Sequence, residues 1–383
     1  VQWLVIGGPE TRRVALFQAA LARQGQPPAH VVAYPDLIAG RVDLRTLVHP
    51  GTVVRIESPD RDFPTEQAIL VAGAACADPE GDYARLSGPA AAALLCDKGA
   101  IRYPRQWYLG YCAVLRQIQD QLAAAPPHRL MSPPAGIALM FDKRHCQAIL
   151  AAAGVPVPAS LGPVASYADL RARMTATGQP RVFVKLAHGS SASGVVAYQV
   201  AGGRHQATTT VEMVPRAGGV ALYNSRRIRV YRDPREIAVL IDALCRHRVQ
   251  VEQWVPKAGL GARTCDLRVL VIAGQVQHVV VRLSRSPLTN LHLANERAGL
   301  AAILPRLGAA GWAAAAATCT QVMHQFPASL YAGIDLLITA DYQSHVVGEV
   351  NAFGDLLYDT LHAGRDPYEA EIVALTAQAR AAA

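Results

Sequence analysis

The chain has 383 residues, 51% of them hydrophobic and 17% charged, with a formal net charge of +8. At about 100–200 residues per domain, that length suits a multi-domain protein or one large composite fold, and the composition excludes a disordered chain. The basic excess favours acidic partners such as nucleotides or carboxylates, while the lack of any Lys/Arg block with interleaved aromatics leaves nucleic-acid binding unsupported.

The first sixty or so residues alternate strand and helix patterns: "QWLVIGG", the helical "ETRRVALFQAALARQG", then "AHVVAYPDLI" and "TVVRIESP". Such alternation predicts a small α/β layer with parallel strands. The Gly-Gly-Pro after the first strand is a turn signal and not the G-x-G-x-x-G of a dinucleotide site. "YPRQWYLGYCAVLRQIQDQLAAA" reads as one long helix, and the Pro-rich "APPHRLMSPPAG" (125–136) as a linker. Beyond it, "DKRHCQAILAAAG" predicts a helix that stops at Gly154. A second α/β unit follows, with strand "RVFVKLA", loop "HGSSASG", strand "VVAYQV", helix "PREIAVLIDALCRH" and strand "VQVEQWV". "DLRVLVIAG" and "VQHVVVRLSR" predict two strands joined by a tight Ala-Gly-Gln turn. The helix around "AAGWAAAAATCTQVMHQF" leads to strands "YAGIDLLIT" and "HVVGEV", and the tail from Pro367 reads as a terminal helix.

Cys76, Cys96, Cys112, Cys146, Cys245, Cys265 and Cys319 are scattered, odd in number and never spaced C-x-x-C. They read as reduced thiols, which argues against a zinc site or a disulfide framework and makes a cytoplasmic protein the expectation. No apolar run is long enough to predict a membrane span or a signal peptide.

Three stretches carry chemistry. In "AGIDLLIT" Asp335 interrupts an apolar strand, and in "GEVN" Glu349 and Asn351, two apart, project to one face of theirs. Three oxygen ligands on adjacent strands suit Mg²⁺; the alternative is polar strand ends near the surface. Lys185 lies inside the apolar "VFVKLA", where an unpaired charge is costly unless it meets an anion. After it, Gly189, Ser190, Ser191 and Gly194 belong to a loop of small residues able to close over phosphate oxygens, although such a loop is more often only a loop. "VQVEQWVPKAG" ends a strand in Glu252, Gln253, Trp254 and Val255, whose backbone groups could face an adenine, or the strand simply leaves the core there.

Taken in order, "FDK", "FVKL", the Gly/Ser loop, "VEQWV", "DLRVLV", "NLHLANERAG", "GID" and "EVN" resemble the ATP-grasp superfamily of carboxylate–amine ligases, most closely its RimK and glutathione synthetase branch. The resemblance covers roughly residues 139–357, and the first segment is similar to the layer preceding the ATP-grasp unit in that superfamily. It implies an α/β (α+β) ATP-grasp fold: a Rossmann-like layer over 1–124, a linker and connecting helix over 125–160, a lid subdomain over 161–256 and a metal-bearing subdomain over 257–383. It implies that Lys143 and Lys185 contact ATP phosphates under the 189–194 loop. Glu252, Gln253, Trp254 and Val255 would hold the adenine, chiefly through backbone groups of Gln253 and Val255, with Asp266 near the ribose. Asp335, Glu349 and Asn351 match ligands of Mg²⁺, usually two ions, with Mn²⁺ as a substitute. Arg268 and Arg282 match arginines at the transferring phosphate, and Asn290 and Arg297 match the loop beside the acceptor. Gly333 departs from the D-alanine ligase branch, which has an arginine there, so that role falls to Arg268 or Arg282. His188 stands near a point where many members have an acidic or basic residue, and the resemblance assigns it no role.

The activity so implied is an ATP- and Mg²⁺-dependent ligation of a carboxylate to an amine, on small molecules or peptides, through an acyl phosphate and with release of ADP and phosphate. A homodimer is compatible with it. A kinase acting on a hydroxyl and a non-catalytic ATP-binding module share the fold and are the alternatives. The basic segment "YNSRRIRVYRDP" (223–234) reads as a solvated arginine-rich edge sooner than a substrate contact.

Overall fold

A computed structural model describes residues 1–59, 62–81, 83–189, 192–293, 295–357 and 359–381. The first sheet holds β1 (Trp3–Ile6), β2 (His30–Val32), β3 (Thr52–Ile56) and β4 (His128–Leu130), all parallel in the order β2-β1-β3-β4. Every residue of β1 and β3 is buried, as expected for parallel strands covered on both faces. The Pro-rich stretch expected to be a linker therefore supplies an edge strand of this sheet before entering the helix Pro134–Phe141. Proline at the first turn of that helix is tolerated because its missing N–H would have no partner there anyway.

The second sheet is antiparallel, in the order β8-β7-β6-β5-β9, from β5 (Arg181–Leu186), β6 (Val196–Ala201), β7 (Arg204–Arg216), β8 (Gly219–Tyr231) and β9 (Val249–Gln253). Helices Tyr167–Ala176 and Pro234–Cys245 pack on it over a core of its own containing Leu170, Val184, Tyr198, Ile241 and Val251. The long β7–β8 hairpin escaped the sequence reading, since its alternation of apolar and basic residues resembles a polar edge. Residues 223–231 indeed lie on that edge strand, with Ile228 and Val230 exposed.

The third sheet runs β13-β12-β11-β14-β15, from β10 (Gly259–Leu260, paired to β11), β11 (Arg263–Ile272), β12 (Gln275–Ser284), β13 (Glu296–Ala298), β14 (Tyr331–Ile338) and β15 (His345–Asn351). β11 and β12 meet in the expected tight turn, where Ala273 and Gly274 both take positive φ (49° and 75°), the geometry a two-residue hairpin favours. One apolar cluster contains Leu4 and Ile56 of the first sheet together with Val269 and Ile334 of the third. The terminal helix Pro367–Ala381 also returns to the first layer: Tyr368 meets Phe17 edge-on at 6.2 Å, and Glu369 accepts from Arg23 at 2.5 Å. The chain thus packs as two bodies, the first and third sheets around shared cores and the second sheet around a separate one. Among the described residues, no helix is long and apolar enough to cross a membrane.

Candidate functional site

Side chains alternate along β11, so Leu267 and Val269 enter the shared core while Asp266 and Arg268 face the other way. Register sets Asp266 opposite Arg282, Arg268 opposite Asp335, Asp335 opposite Glu349 and Gly333 opposite Asn351. A chain of pairs results. Lys257 Nζ lies 3.0 Å from Asp266 Oδ2, and Arg282 Nε donates to Asp266 Oδ1 at 2.7 Å. Arg282 Nη2 also lies 3.1 Å from Asp335 Oδ2, while Arg268 Nε donates to Asp335 Oδ1 at 2.5 Å. Burial pushes the Asp335 carboxyl up, but Arg268 and Arg282 outweigh it and hold it below its ordinary value. Asp266 is held well below the carboxylate range by Arg282 and Lys257 against the same burial. For Lys257 burial wins, and its ammonium is shifted down despite Asp266.

Opposite this row stands the second sheet. Lys185 finds its required anion in Glu252 on neighbouring β9, and their pairing keeps the ammonium up although burial opposes it. Lys143 opens the helix Lys143–Ala152, capped by Asp142, whose Oδ1 accepts from the backbone of Arg144 at 3.0 Å and His145 at 3.1 Å. From there its Nζ reaches Glu349 Oε1 at 3.0 Å and donates to the Gly189 carbonyl at 2.5 Å. Lys143 therefore ties the end of β15 to the loop after β5.

Between the two bodies lies a cavity of about 780 Å³. Lys143, Lys185, Gly189, Glu252, Gln253 and Val255 line it on the side of the second sheet. Asp266, Arg268, Arg282, Asn290, Arg297, Asp335, Glu349 and Asn351 line it from the third. Two of the expected residues that the structure describes do not. Trp254 packs on Phe183 at 5.3 Å and under Arg181 at 5.9 Å, which turns it off the wall. Gly194, at φ 67°, sits so close to Leu186 that any side chain would collide with it. Ser190 and Ser191 lie outside the described residues.

Two expected contacts also change. The Gln253 N–H donates to the Ala159 carbonyl at 2.8 Å, so it is already used. Asp266, expected near a ribose, spends its oxygens on Arg282, Lys257 and Thr289, which makes it a support for Arg282. Lys257, Thr289 and Arg13 also line the cavity and were missed by the sequence reading. Lys257 follows Pro256 in the connection between β9 and β10, so no charge inside an apolar strand marks it in the sequence.

His188, unassigned from sequence, is fully buried. Its ring stacks on Tyr108 at 4.0 Å, and Nε2 lies 3.2 Å from Asp142 Oδ2. Arg248 closes the cluster, donating to both Asp142 oxygens at 2.9 and 3.0 Å and to Glu80 at 2.6 Å. This knot fixes the cap of the Lys143 helix to the residue preceding Gly189. Burial, with Arg248 and Arg105 nearby, pushes His188 down to about 3 even though Asp142 opposes the shift.

Gly333 and Gly354 touch backbone to backbone: a Cβ on Gly333 would stand 2.5 Å from the Gly354 Cα. No side chain, arginine included, could occupy position 333.

No family model matches the chain, and no curated protein matches it in sequence. Solved structures do match over its whole length. The D-cycloserine synthetase DcsG superposes with a TM-score of 0.56 at 14% identity, covering 98% of this chain and 99% of that one. The macrocyclase MdnC from Microcystis aeruginosa MRC, bound with its precursor peptide MdnA, gives 0.54 at 11% identity, covering 98% and 100%. The ATP-grasp ligase PsnB, complexed with a minimal precursor, gives 0.52 at 16% identity, covering 98% and 99%. The fold is the one these ATP-grasp ligases share.

Proposed function

We propose that the protein is an ATP- and Mg²⁺-dependent ligase that joins a carboxylate to an amine through an acyl phosphate, in the manner of the RimK and glutathione synthetase branch. The observation that carries this reading is the convergence of two lysines, two arginines and three oxygen donors from both bodies on one cavity. Lys143 and Lys185 bind the phosphates of ATP beside Gly189, and Glu252, Gln253 and Val255 border the adenine. Asp335, Glu349 and Asn351 fit Mg²⁺: they are hard oxygen donors on paired strands, and the Asn351 amide nitrogen is spent on the Gly333 carbonyl at 3.1 Å, which leaves its oxygen for a cation. Bound there, Mg²⁺ would neutralise charge on the transferring phosphate. Arg268 and Arg282 are held by Asp335 and Asp266 in orientations set before substrate arrives, as electrostatic stabilisation of that phosphate requires. The bare wall at Gly333 favours the branch in which those arginines do this work.

In the first step a carboxylate oxygen bonds to the γ-phosphorus, the bond from that phosphorus to the β–γ bridging oxygen breaks, and ADP leaves. The amine nitrogen then bonds to the acyl carbon, the acyl carbon–oxygen bond breaks, phosphate departs and the amine loses a proton to solvent. No protein nucleophile is needed; the chain holds the reactants in line. The test is product analysis with ATP, Mg²⁺ and a panel of carboxylate–amine pairs. Amine-dependent release of equal ADP and phosphate is expected. ADP without phosphate, with a phosphorylated hydroxyl, would replace this reading with a kinase, and nucleotide binding without turnover on any pair would replace it with a binding module.

A further inference from the structure

The groups assigned to nucleotide and cation occupy only part of the cavity. Past Asn351 the chain turns away from β15 and presents Phe353; beside it stands Phe141, two residues before Lys143. Trp107, from the first-layer helix Pro104–Ala123, joins them. The Trp107 and Phe141 rings stack with centroids 6.0 Å apart and planes 28° apart, and Phe353 meets Phe141 edge-on at 5.7 Å. All three are half-buried and line the cavity, backed by fully buried Tyr111, 5.1 Å from Trp107 and 5.4 Å from Phe141. Arg13 fixes the turn behind Phe353 by donating to Asp355 Oδ1 and to the Phe353 carbonyl, both at 2.7 Å.

Phosphates and a hard cation have no use for aromatic faces. Three rings from distant parts of the chain, kept open to a concave site one step beyond the phosphate-binding lysine, have the character of an apolar ligand wall. We infer that the reactant beyond the γ-phosphate carries an aromatic group that stacks on the wall formed by Trp107, Phe141 and Phe353. This rests on the ligase reading for its position relative to the phosphates, while the stacking itself can be measured without catalysis.

Trp107 supplies the signal. L-Phenylalanine, L-alanine and L-glutamate are titrated against the full chain with Mg²⁺ and a non-hydrolysable ATP analogue, and again without nucleotide, with Trp107→Phe marking the share of quenching that Trp107 reports. Phenylalanine is expected to bind at least about 10-fold more tightly than alanine or glutamate. In Phe353→Leu that preference should shrink by roughly 2- to 10-fold, the worth of one aromatic pair, with affinity for the analogue unchanged. Equal affinity for the three amino acids in the unaltered protein would overturn the inference, as would a Phe353→Leu effect that weakens all three alike. Failure of the analogue to bind would instead count against the ligase reading, and the nucleotide-free titration still decides the stacking.

Discussion

Ion pairs occur in this molecule in two settings, and the settings differ in what can replace a partner. In the cavity, Lys143 is paired with Glu349 and Lys185 with Glu252, each beside open volume. At the junction of the first layer with the C-terminal segment, Arg55 is wholly enclosed: it bonds Glu57, Asp355 and Glu371, and its guanidinium lies 4.7 Å from the Phe17 ring centre, 5.0 Å from Tyr368 and 5.1 Å from Tyr331. A phosphate and a cation arriving together can take over the cavity pairs, phosphate to lysine and cation to carboxylate, with no charge stranded. Nothing can reach Arg55. The first kind of pair is suited to being exchanged; the second fastens the turn after β15 and the terminal helix to β3.

The largest expected effect tests exchange. Glu349→Gln keeps the shape of the side chain and removes the charge that a cation would take, so Mg²⁺-dependent turnover should fall on the order of 10³-fold, several kcal/mol of barrier, with thermal stability little changed. A loss of stability with turnover per folded molecule intact would place Glu349 among the fastening pairs and undo the contrast.

Next comes Arg55→Met, which takes the shared cation from three carboxylates in a sealed site, strands Glu371 and leaves Asp355 and Glu57 to Arg13. Removing one partner of such a network costs about 3–5 kcal/mol. Burial already drives Glu371 and Glu57 up in spite of Arg55, and loss of the arginine removes what opposes that shift. Denaturant unfolding should register the loss as a lower midpoint. A midpoint within experimental scatter of the unaltered protein would show that Arg55 fastens nothing.

The same contrast explains what could be read from the chain alone. Asp335, Glu349 and Asn351 were legible because strand period fixes which residues share a face, and Lys185 because a charge in an apolar strand demands a partner. The Lys143 helix was legible through its Asp142 cap and its stop at Gly154. The sealed networks were not. Arg55 and Asp355 are 300 positions apart and join only when the sheets are assembled, and no local pattern marks Asp142 and His188 as partners of Arg248. Position 333 has the same character: a bare glycine in sequence, it becomes a constraint only when Gly354 is pressed against it. The β4 strand hid in a Pro-rich stretch because three residues of pairing leave almost no periodic signal.

His188 belongs to the sealed class and gives a smaller, pH-dependent effect. The unfolded imidazole takes up a proton below about pH 6.5, while the folded ring resists until about 3. The unfolded state therefore binds more protons across that window, and stability falls as pH drops through it. At pH 5 the contribution of this one group is up to about 2 kcal/mol. His188→Gln retains an N–H for Asp142 but cannot titrate, so its stability should decline less steeply between pH 6.5 and 4 than that of the unaltered protein. His247, pushed down to about 4 by burial, should supply a residual slope in the variant. Parallel slopes for the two proteins would remove His188 from the cause.

The smallest effect is the control that both settings need. Arg45 and Asp43 pair in full view of solvent, with several contacts between the two side chains, the Nε among them at 2.9 Å from both carboxylate oxygens. By distance alone this pair looks as strong as any in the cavity. Solvent, however, screens the attraction and offers each charge an equally good partner, so Arg45→Ala should leave the unfolding midpoint within experimental scatter of the unaltered protein and turnover untouched. If it instead approached the cost of Arg55→Met, contact geometry and not enclosure would set the worth of an ion pair here, and the division between exchangeable and fastening pairs would have no physical basis.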